Sequence, residues 1–131
     1  MRFVLRILLI AALAYAAGLY LPWWSVAIAA FLVGLLLSER RKRRVFTRKQ
    51  APPPRSFLAG FLAMALLWGG LALYAHLQNE GVLTSRMLPI LMPGQDNPSP
   101  ALLIGGVGLI GGLLGGMSAL TGNLLGEAIK N

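Results

Sequence analysis

The sequence ALLIGGVGLIGGLLGGMSALTGNLLGEAI occupies residues 101–129 and contains nine of the sixteen glycines of the chain. Soluble helices avoid glycine, because each one costs roughly 1 kcal/mol relative to alanine. At about 100° per residue of α-helix, all of these glycines except Gly106 fall on one face, and Ala119 joins them. The opposite face carries Met117 and a row of leucines. This pattern predicts a membrane-spanning helix that packs closely on its neighbours.

Small residues along this helix follow the small-xxx-small spacing of membrane helix pairs, as in Gly108, Gly112 and Gly116. The predicted helix-packing residues are Gly108, Gly111, Gly112, Gly115, Gly116 and Gly122. The order Gly106-x-Gly108-x-x-Gly111 also matches a dinucleotide-binding fingerprint. That match is rejected, because it lies inside an apolar run with no preceding strand and no βαβ unit around it.

The composition is typical of a chain whose solvent is lipid. Hydrophobic residues make up 56% of the 131 residues, charged residues only 12%, and the mean hydropathy is +0.69. An ordinary soluble domain is about a quarter charged, so this chain has too few polar groups to cover a water-exposed surface. The sequence has no cysteine, which excludes disulfides, thiolate nucleophiles and cysteine-based metal sites.

Four apolar runs predict an all-α fold of four transmembrane helices in two hairpins, with the glycine-rich helix as the fourth. The predicted spans are residues 3–21, 24–39, 57–77 and 101–126 of a single membrane domain. The first run also has the basic start and alanine-rich end of a secretory signal peptide, but its length of about 19 residues favours an uncleaved span. The second run is short for a crossing, and Pro22, Trp23 and Trp24 before it predict a tight turn at the membrane boundary.

The basic residues are distributed very unevenly, with eight of the twelve in residues 40–55. If this loop is cytoplasmic, Arg2, Arg6 and Lys130 are cytoplasmic too, and only Arg86 lies outside, as the positive-inside rule favours. The charge distribution therefore predicts a membrane protein with cytoplasmic N and C termini. Anionic lipid or a protein partner is predicted for Arg40, Arg41, Lys42, Arg43 and Arg44, and nucleic acid is ranked last.

Residues 78–100 form the predicted outer loop. Its apolar patch, residues 82–83 and 87–93 with Pro89 and Pro93, is too short to cross and too apolar for a free loop, so we expect it to lie on the membrane surface or dip slightly into it. Ser99 and Pro100 are a helix start, with Ser99 as the N-cap and Pro100 in the first helical position.

Few residues could carry chemistry, and the sequence predicts no catalytic, metal or cofactor site. His76 precedes Glu80 by four residues, so the two could form a proton-handling pair or contact a quinone; the favoured interpretation is an amphipathic side chain at the boundary. Thr121 and Asn123 could hydrogen bond to other helices, or line a pore.

Several stretches resemble a group of short four-span inner-membrane proteins of Bacteroidota that have no assigned activity. The stretches are LYLPWW at residues 19–24, SFLAGF at 56–61, LW at 67–68, Arg86, and the glycine pairs at 111–112 and 115–116. The resemblance covers nearly the whole chain, with the basic loop as an addition. It implies an inner-membrane location and supplies no functional residues.

The predicted function is that of a non-enzymatic accessory or assembly subunit that binds other membrane subunits, or a second copy of itself, through helix packing. The alternative is a small oligomeric channel or transporter lined by the glycine face, Thr121 and Asn123. An enzyme or quinone site at His76 is the weakest hypothesis.

Overall fold

The computed structural model describes residues 2–38, 55–94 and 99–130, and within these ranges it contains five α-helices and no strand. The helices are α1 (Arg2–Tyr20), α2 (Ser25–Leu36), α3 (Arg55–Gln78), α4 (Val82–Leu91) and α5 (Pro100–Lys130). The predicted all-helical fold is confirmed. The basic residues Arg40, Arg41, Lys42, Arg43 and Arg44 lie outside the described residues.

Three of these helices are long and apolar enough to cross a membrane, by length and composition. The qualifying segments are Phe3–Tyr20 in α1, Arg55–Gln78 in α3 and Pro100–Lys130 in α5. The second predicted span is only 12 residues as α2, about 18 Å at 1.5 Å per residue, against a hydrocarbon core of about 30 Å. Four complete crossings therefore stay a prediction.

The helix ends follow local sequence chemistry. α5 begins at Pro100 as predicted, and the amide of Ala101 donates to the Ser99 hydroxyl over 3.3 Å. α3 ends in a Schellman turn: Glu80 has a left-handed φ of 51°, and the amide of Gly81 donates to the carbonyl of His76 over 2.9 Å.

The helix α4 is an element that the sequence analysis did not predict. The apolar patch contains Pro89 and Pro93, and Pro89 lies within α4. It stands near the C-terminal end of this 10-residue helix, so its missing N–H removes one late hydrogen bond. Only Thr84 and Leu88 of α4 are buried, so the helix rests on the bundle by one narrow face.

The helices run alternately up and down. Along α5, Gly108 approaches Gly69 and Gly115 approaches Gly60, so α3 and α5 are antiparallel. Gly122 approaches Phe31 and Gly126 approaches Ser38, so α2 and α5 are parallel. We call the end where α2 and α5 finish and α3 starts the basic end. The opposite end is where α3 finishes, at Gln78, and α5 starts.

The helices α1 and α2 do not run beside α3 and α5 over the full length of those two helices. The buried residues of α3 stop at Met64, which belongs to the same core cluster as Val26 from the first turn of α2. The turn of the α1–α2 hairpin is therefore level with about Met64. From there α3 continues for 14 residues to Gln78, about 21 Å, and none of these residues is fully buried.

The core is small and built largely from small side chains, whereas large apolar side chains point outward. The buried cluster includes Ala14, Ala29, Ala30, Ala63 and Ala119, with Ile10 and Met64 as its largest fully buried members. Trp68, near the middle of α3, packs against this cluster. Leu36, Leu66 and Ile129 are each about 70% exposed, which suits contact with lipid better than contact with water.

Candidate functional site: the packing face of α5

The first half of the α5 face packs on α3 through direct backbone contact. At Gly60 and Gly115 each carbonyl group occupies the space where a side chain of the other residue would stand, and the Gly60 oxygen is 2.6 Å from an ideal Cβ on Gly115. Phe57 and Phe61, stacked with their ring centroids 6.0 Å apart, cover Gly116 and Gly112. The absence of side chains on α5 therefore admits both a helix backbone and a pair of aromatic rings.

The second half of the same face packs on α2. A Cβ on Gly122 would overlap the carbonyl oxygen of Phe31, and a Cβ on Gly126 would lie 2.6 Å from the carbonyl oxygen of Leu35. In the reverse direction, a Cβ on Gly34 would overlap the carbonyl of Ala119. The glycine face is thus divided between two partner helices, and Ala119 touches Gly60 as well as Gly34.

The six glycines predicted from the sequence are all buried at these two contacts. They are Gly108, Gly111, Gly112, Gly115, Gly116 and Gly122. Gly34 in α2 and Gly60 in α3 face these contacts from the other side. Gly34 does not belong to a run of regularly spaced glycines, so sequence reasoning did not single it out. Gly105 shares the predicted face with them but is exposed, and nothing lies within 4 Å of where its Cβ would stand.

Two polar side chains of α5, those of Thr121 and Asn123, bond within their own helix, whereas we expected bonds to other helices. The Thr121 hydroxyl donates to the carbonyl of Met117 over 2.9 Å, and the Asn123 amide donates to the Glu127 carboxylate over 2.7 Å. Thr121 is exposed, whereas Asn123 is 9% exposed. The glycine face packs against α2 and α3 from Gly108 to Gly126, and Gly105 lies open.

Two cations converge on the last carbonyls of α2. The Arg6 guanidinium donates to the carbonyl of Leu37, and the Lys130 ammonium donates to those of Ser38 and Leu36 over 2.8 and 3.3 Å. A helix C-terminus carries partial negative charge on its unpaired carbonyls, which favours cations there. Residues from the two ends of the chain thus hold the end of α2 together. Sequence reasoning treated Arg6 only as a snorkelling side chain.

His76 bonds to Thr84 and not to Glu80, which was a possible partner by its spacing. Its Nδ1 atom lies 2.8 Å from the Thr84 hydroxyl, and its ring covers Gly81, where a Cβ would meet the ring at 3.0 Å. Glu80 is exposed in the turn. The histidine therefore joins the end of α3 to α4, a structural role that its local sequence did not indicate.

Replacing Thr84 with valine is expected to loosen α4 without unfolding the bundle. The change keeps the side-chain shape but leaves His76 Nδ1 without its partner, a loss of about 0.5–1.5 kcal/mol for one hydrogen bond. Hydrogen exchange of the α4 amides should accelerate several-fold while the amides of α5 keep their rates. Ser85→Ala is the control, because Ser85 is exposed and bonds only within its own turn. Equal exchange in both variants would contradict the role of the His76–Thr84 bond.

No metal site is evident in the described part of the chain, since no three or more His, Asp or Glu side chains there lie close enough together to hold an ion. Comparison of the chain with protein-family models, with curated proteins and with solved structures gave no match. The packing face of α5 is therefore the candidate site on its own geometry.

Proposed function

We propose that this protein is a non-enzymatic accessory or assembly subunit of the bacterial inner membrane, the location that its resemblance to short four-span proteins of Bacteroidota implies. It acts by packing its helices against another membrane subunit or a second copy of itself. It needs no cofactor for this role. Both termini and the basic loop, residues 40–55, face the cytoplasm in this proposal.

The distribution of charge supports this orientation. Arg6 and Lys130 bond to the end of α2, and the chain continues from there into the sequence Arg40-Arg41-Lys42-Arg43-Arg44. Arg86 belongs to α4, which follows the other end of α3. Basic residues concentrated at one end of a bundle favour a cytoplasmic location for that end, and they attract anionic lipid or an acidic partner there.

The observation that carries the proposal is a set of glycines left without neighbours beyond the α1–α2 turn. At Gly70, Gly105 and Gly106 no atom lies within 4 Å of an added Cβ, although the same two helices use Gly60 and Gly115 for direct backbone contact. In this part of the molecule α3 and α5 pack on each other at Gly69 and Gly108, and the small helix α4 contacts both. Open glycines on an apolar helix allow a further helix to approach closely, as helix association in membranes requires.

Leucine substitutions at two kinds of glycine should separate folding from partner binding. Gly105→Leu and Gly70→Leu are expected to leave the purified protein folded, because the new side chain enters open space. They should reduce the amount of a co-purifying membrane protein at least tenfold, because a partner helix would need that same space. Gly112→Leu and Gly116→Leu should instead disrupt the contact with Phe61 and Phe57 and destabilise the protein itself. The measurement is purification in a mild detergent, with mass spectrometry of bound chains and thermal unfolding of each variant.

Leu109→Ala is the matched control, since Leu109 is an exposed side chain on the same part of α5. Retention of every partner by Gly105→Leu and Gly70→Leu would contradict the proposal. So would ion or solute flux through vesicles that contain only this protein, which is the result expected of the channel alternative.

A further inference from the structure

The α1–α2 hairpin is too short for the bundle in which it sits. From Ser25 to Ser38, α2 and its last turn cover 13 residue steps, about 20 Å. α3 covers about 36 Å and α5 about 46 Å. The geometry points to a re-entrant hairpin: α1 and α2 enter the membrane from the basic end, turn within the hydrocarbon at residues 21–24, and return to the same side. The chain then crosses completely only with α3 and α5.

The position of the turn follows from contacts at the two ends of α2. At the basic end, Ser38 packs on Gly126 and Lys130 bonds to its carbonyl, so α2 finishes beside the last turns of α5. At its other end, Val26 shares the core cluster with Ala63 and Met64, in the first half of α3. The turn residues precede Val26 by two to four positions, so the turn stops roughly 15–20 Å before the end of α3 at Gln78.

Placing the turn at the far membrane boundary instead would bury charge. In that case the hydrocarbon core would extend about 30 Å from the turn towards the basic end. Arg6 bonds to Leu37, which is only about 18 Å from Ser25 along α2, so Arg6 would lie inside the core. It would also place Arg55, nine residues before Met64, about 14 Å deep, near the bilayer centre. Cations at that depth are among the most costly residues of a transmembrane helix.

The same placement would expose apolar surface to water. The second half of α3 and the first half of α5 would project beyond the membrane with large side chains that are already uncovered. These are Leu66, Leu71, Leu73, Leu77, Leu102, Leu109 and Ile110. Centring the membrane on α3 avoids both costs, because polar residues then flank the core: Arg55 on one side and Gln78, Asn79 and Glu80 on the other. Tilting the bundle shortens every helix in proportion, so it does not bring the turn to the boundary.

The backbone of the turn is only partly hydrogen bonded. The amide of Leu21 donates to the carbonyl of Ala17 and that of Ser25 to the carbonyl of Pro22, and Pro22 has no amide hydrogen. The amides of Trp23 and Trp24 are not among these bonds, and unpaired backbone groups are costly in hydrocarbon. Trp23 and Trp24 are 71% and 48% exposed, so their rings face the surroundings of the bundle.

Single cysteines placed in this cysteine-free chain can measure the depth of the turn. Leu21→Cys is compared with Glu80→Cys, in the turn after α3, using a membrane-impermeant maleimide on right-side-out and inside-out vesicles. We expect Glu80→Cys to label from one side. Leu21→Cys should label at least tenfold more slowly than Glu80→Cys from that side, and should label fully once detergent dissolves the membrane. Labelling of both cysteines from the same side at similar rates would overturn the re-entrant hairpin and restore four crossings.

Tryptophan fluorescence provides a second readout that needs no change at the turn. In a Trp68→Phe protein, only Trp23 and Trp24 report, and lipids brominated at defined depths quench the nearest indole most strongly. We expect the strongest quenching from bromine placed deep in the acyl chains. Strongest quenching from bromine near the headgroups would overturn the inference, even if Leu21→Cys proved unreactive because a partner protein covers it.

Discussion

Gly122→Ala is expected to destabilise the protein, although it adds a single methyl group to a helix. The new Cβ would overlap the carbonyl oxygen of Phe31 and lie 2.9 Å from its carbon and 3.1 Å from the Leu35 amide nitrogen. All of these are backbone atoms, so no side-chain rotation relieves the overlap, and α2 must move away from α5. Overpacking of this kind costs about 1–3 kcal/mol. The measurement is the free energy of unfolding in mixed micelles, titrated with a denaturing detergent.

Gly105→Ala is the matched control for that experiment, because it makes the same chemical change in the same helix. An added Cβ there meets nothing within 4 Å, so only helix propensity acts, and alanine should stabilise the helix by up to about 1 kcal/mol. The two substitutions should therefore differ in sign. Stabilisation by both would show that α2 does not pack on α5 through Gly122.

Removing the two cations at the end of α2 is expected to have the second large effect. Arg6→Met and Lys130→Met keep much of the apolar stem but delete the groups that bond to the carbonyls of Leu36, Leu37 and Ser38. A hydrogen bond from a charged donor contributes about 1.5–3 kcal/mol where it is sheltered. Arg6 is half-buried, so Arg6→Met should lower the free energy of unfolding by an amount in that range. Lys130 is exposed, so Lys130→Met should lower it by less than about 1 kcal/mol.

The double variant tests whether the two cations act on the same helix end. With Arg6 removed, Lys130 can still cover the carbonyls of α2, so the loss in the double variant should exceed the sum of the single losses. Additive losses would mean that the two side chains act independently. Arg86→Met, an exposed cation on α4, should change the free energy of unfolding by less than about 0.5 kcal/mol and serves as the control.

The sequence predicted α5 well because its signal is local and repeated. Ser99 and Pro100 predicted its start, and the glycine spacing identified the residues that are buried in its contacts. The apolar patch was assigned to the membrane surface without a secondary structure, so α4 was not predicted. His76 was interpreted as an amphipathic side chain at the boundary, and its bond to Thr84 was not foreseen because it depends on the Schellman turn at Glu80 and Gly81.

Other features depended on partners distant in the chain. Nothing near Arg6 in the sequence indicates that it would meet Leu37, or that Lys130 would meet Ser38, because these contacts join residues 31 and 92 positions apart. The same holds for the division of the glycine face: periodicity shows that a face is bare, but it does not show which helix fills each half. Gly105 and Gly122 look equivalent in the sequence and differ only in what the fold places beside them.

The amino-acid sequence alone determined that the chain is helical, that lipid is the solvent its composition fits, and that α5 offers a face without side chains. These properties depend on composition and on the spacing of residues within one helix, so they do not require knowledge of the neighbouring helices. Only the tertiary structure decided how far the α1–α2 hairpin extends along α3 from the basic end, and which glycines have no neighbouring helix. Both depend on the register between helices, which is set by the close backbone contacts at Gly34, Gly60, Gly115 and Gly122 acting together.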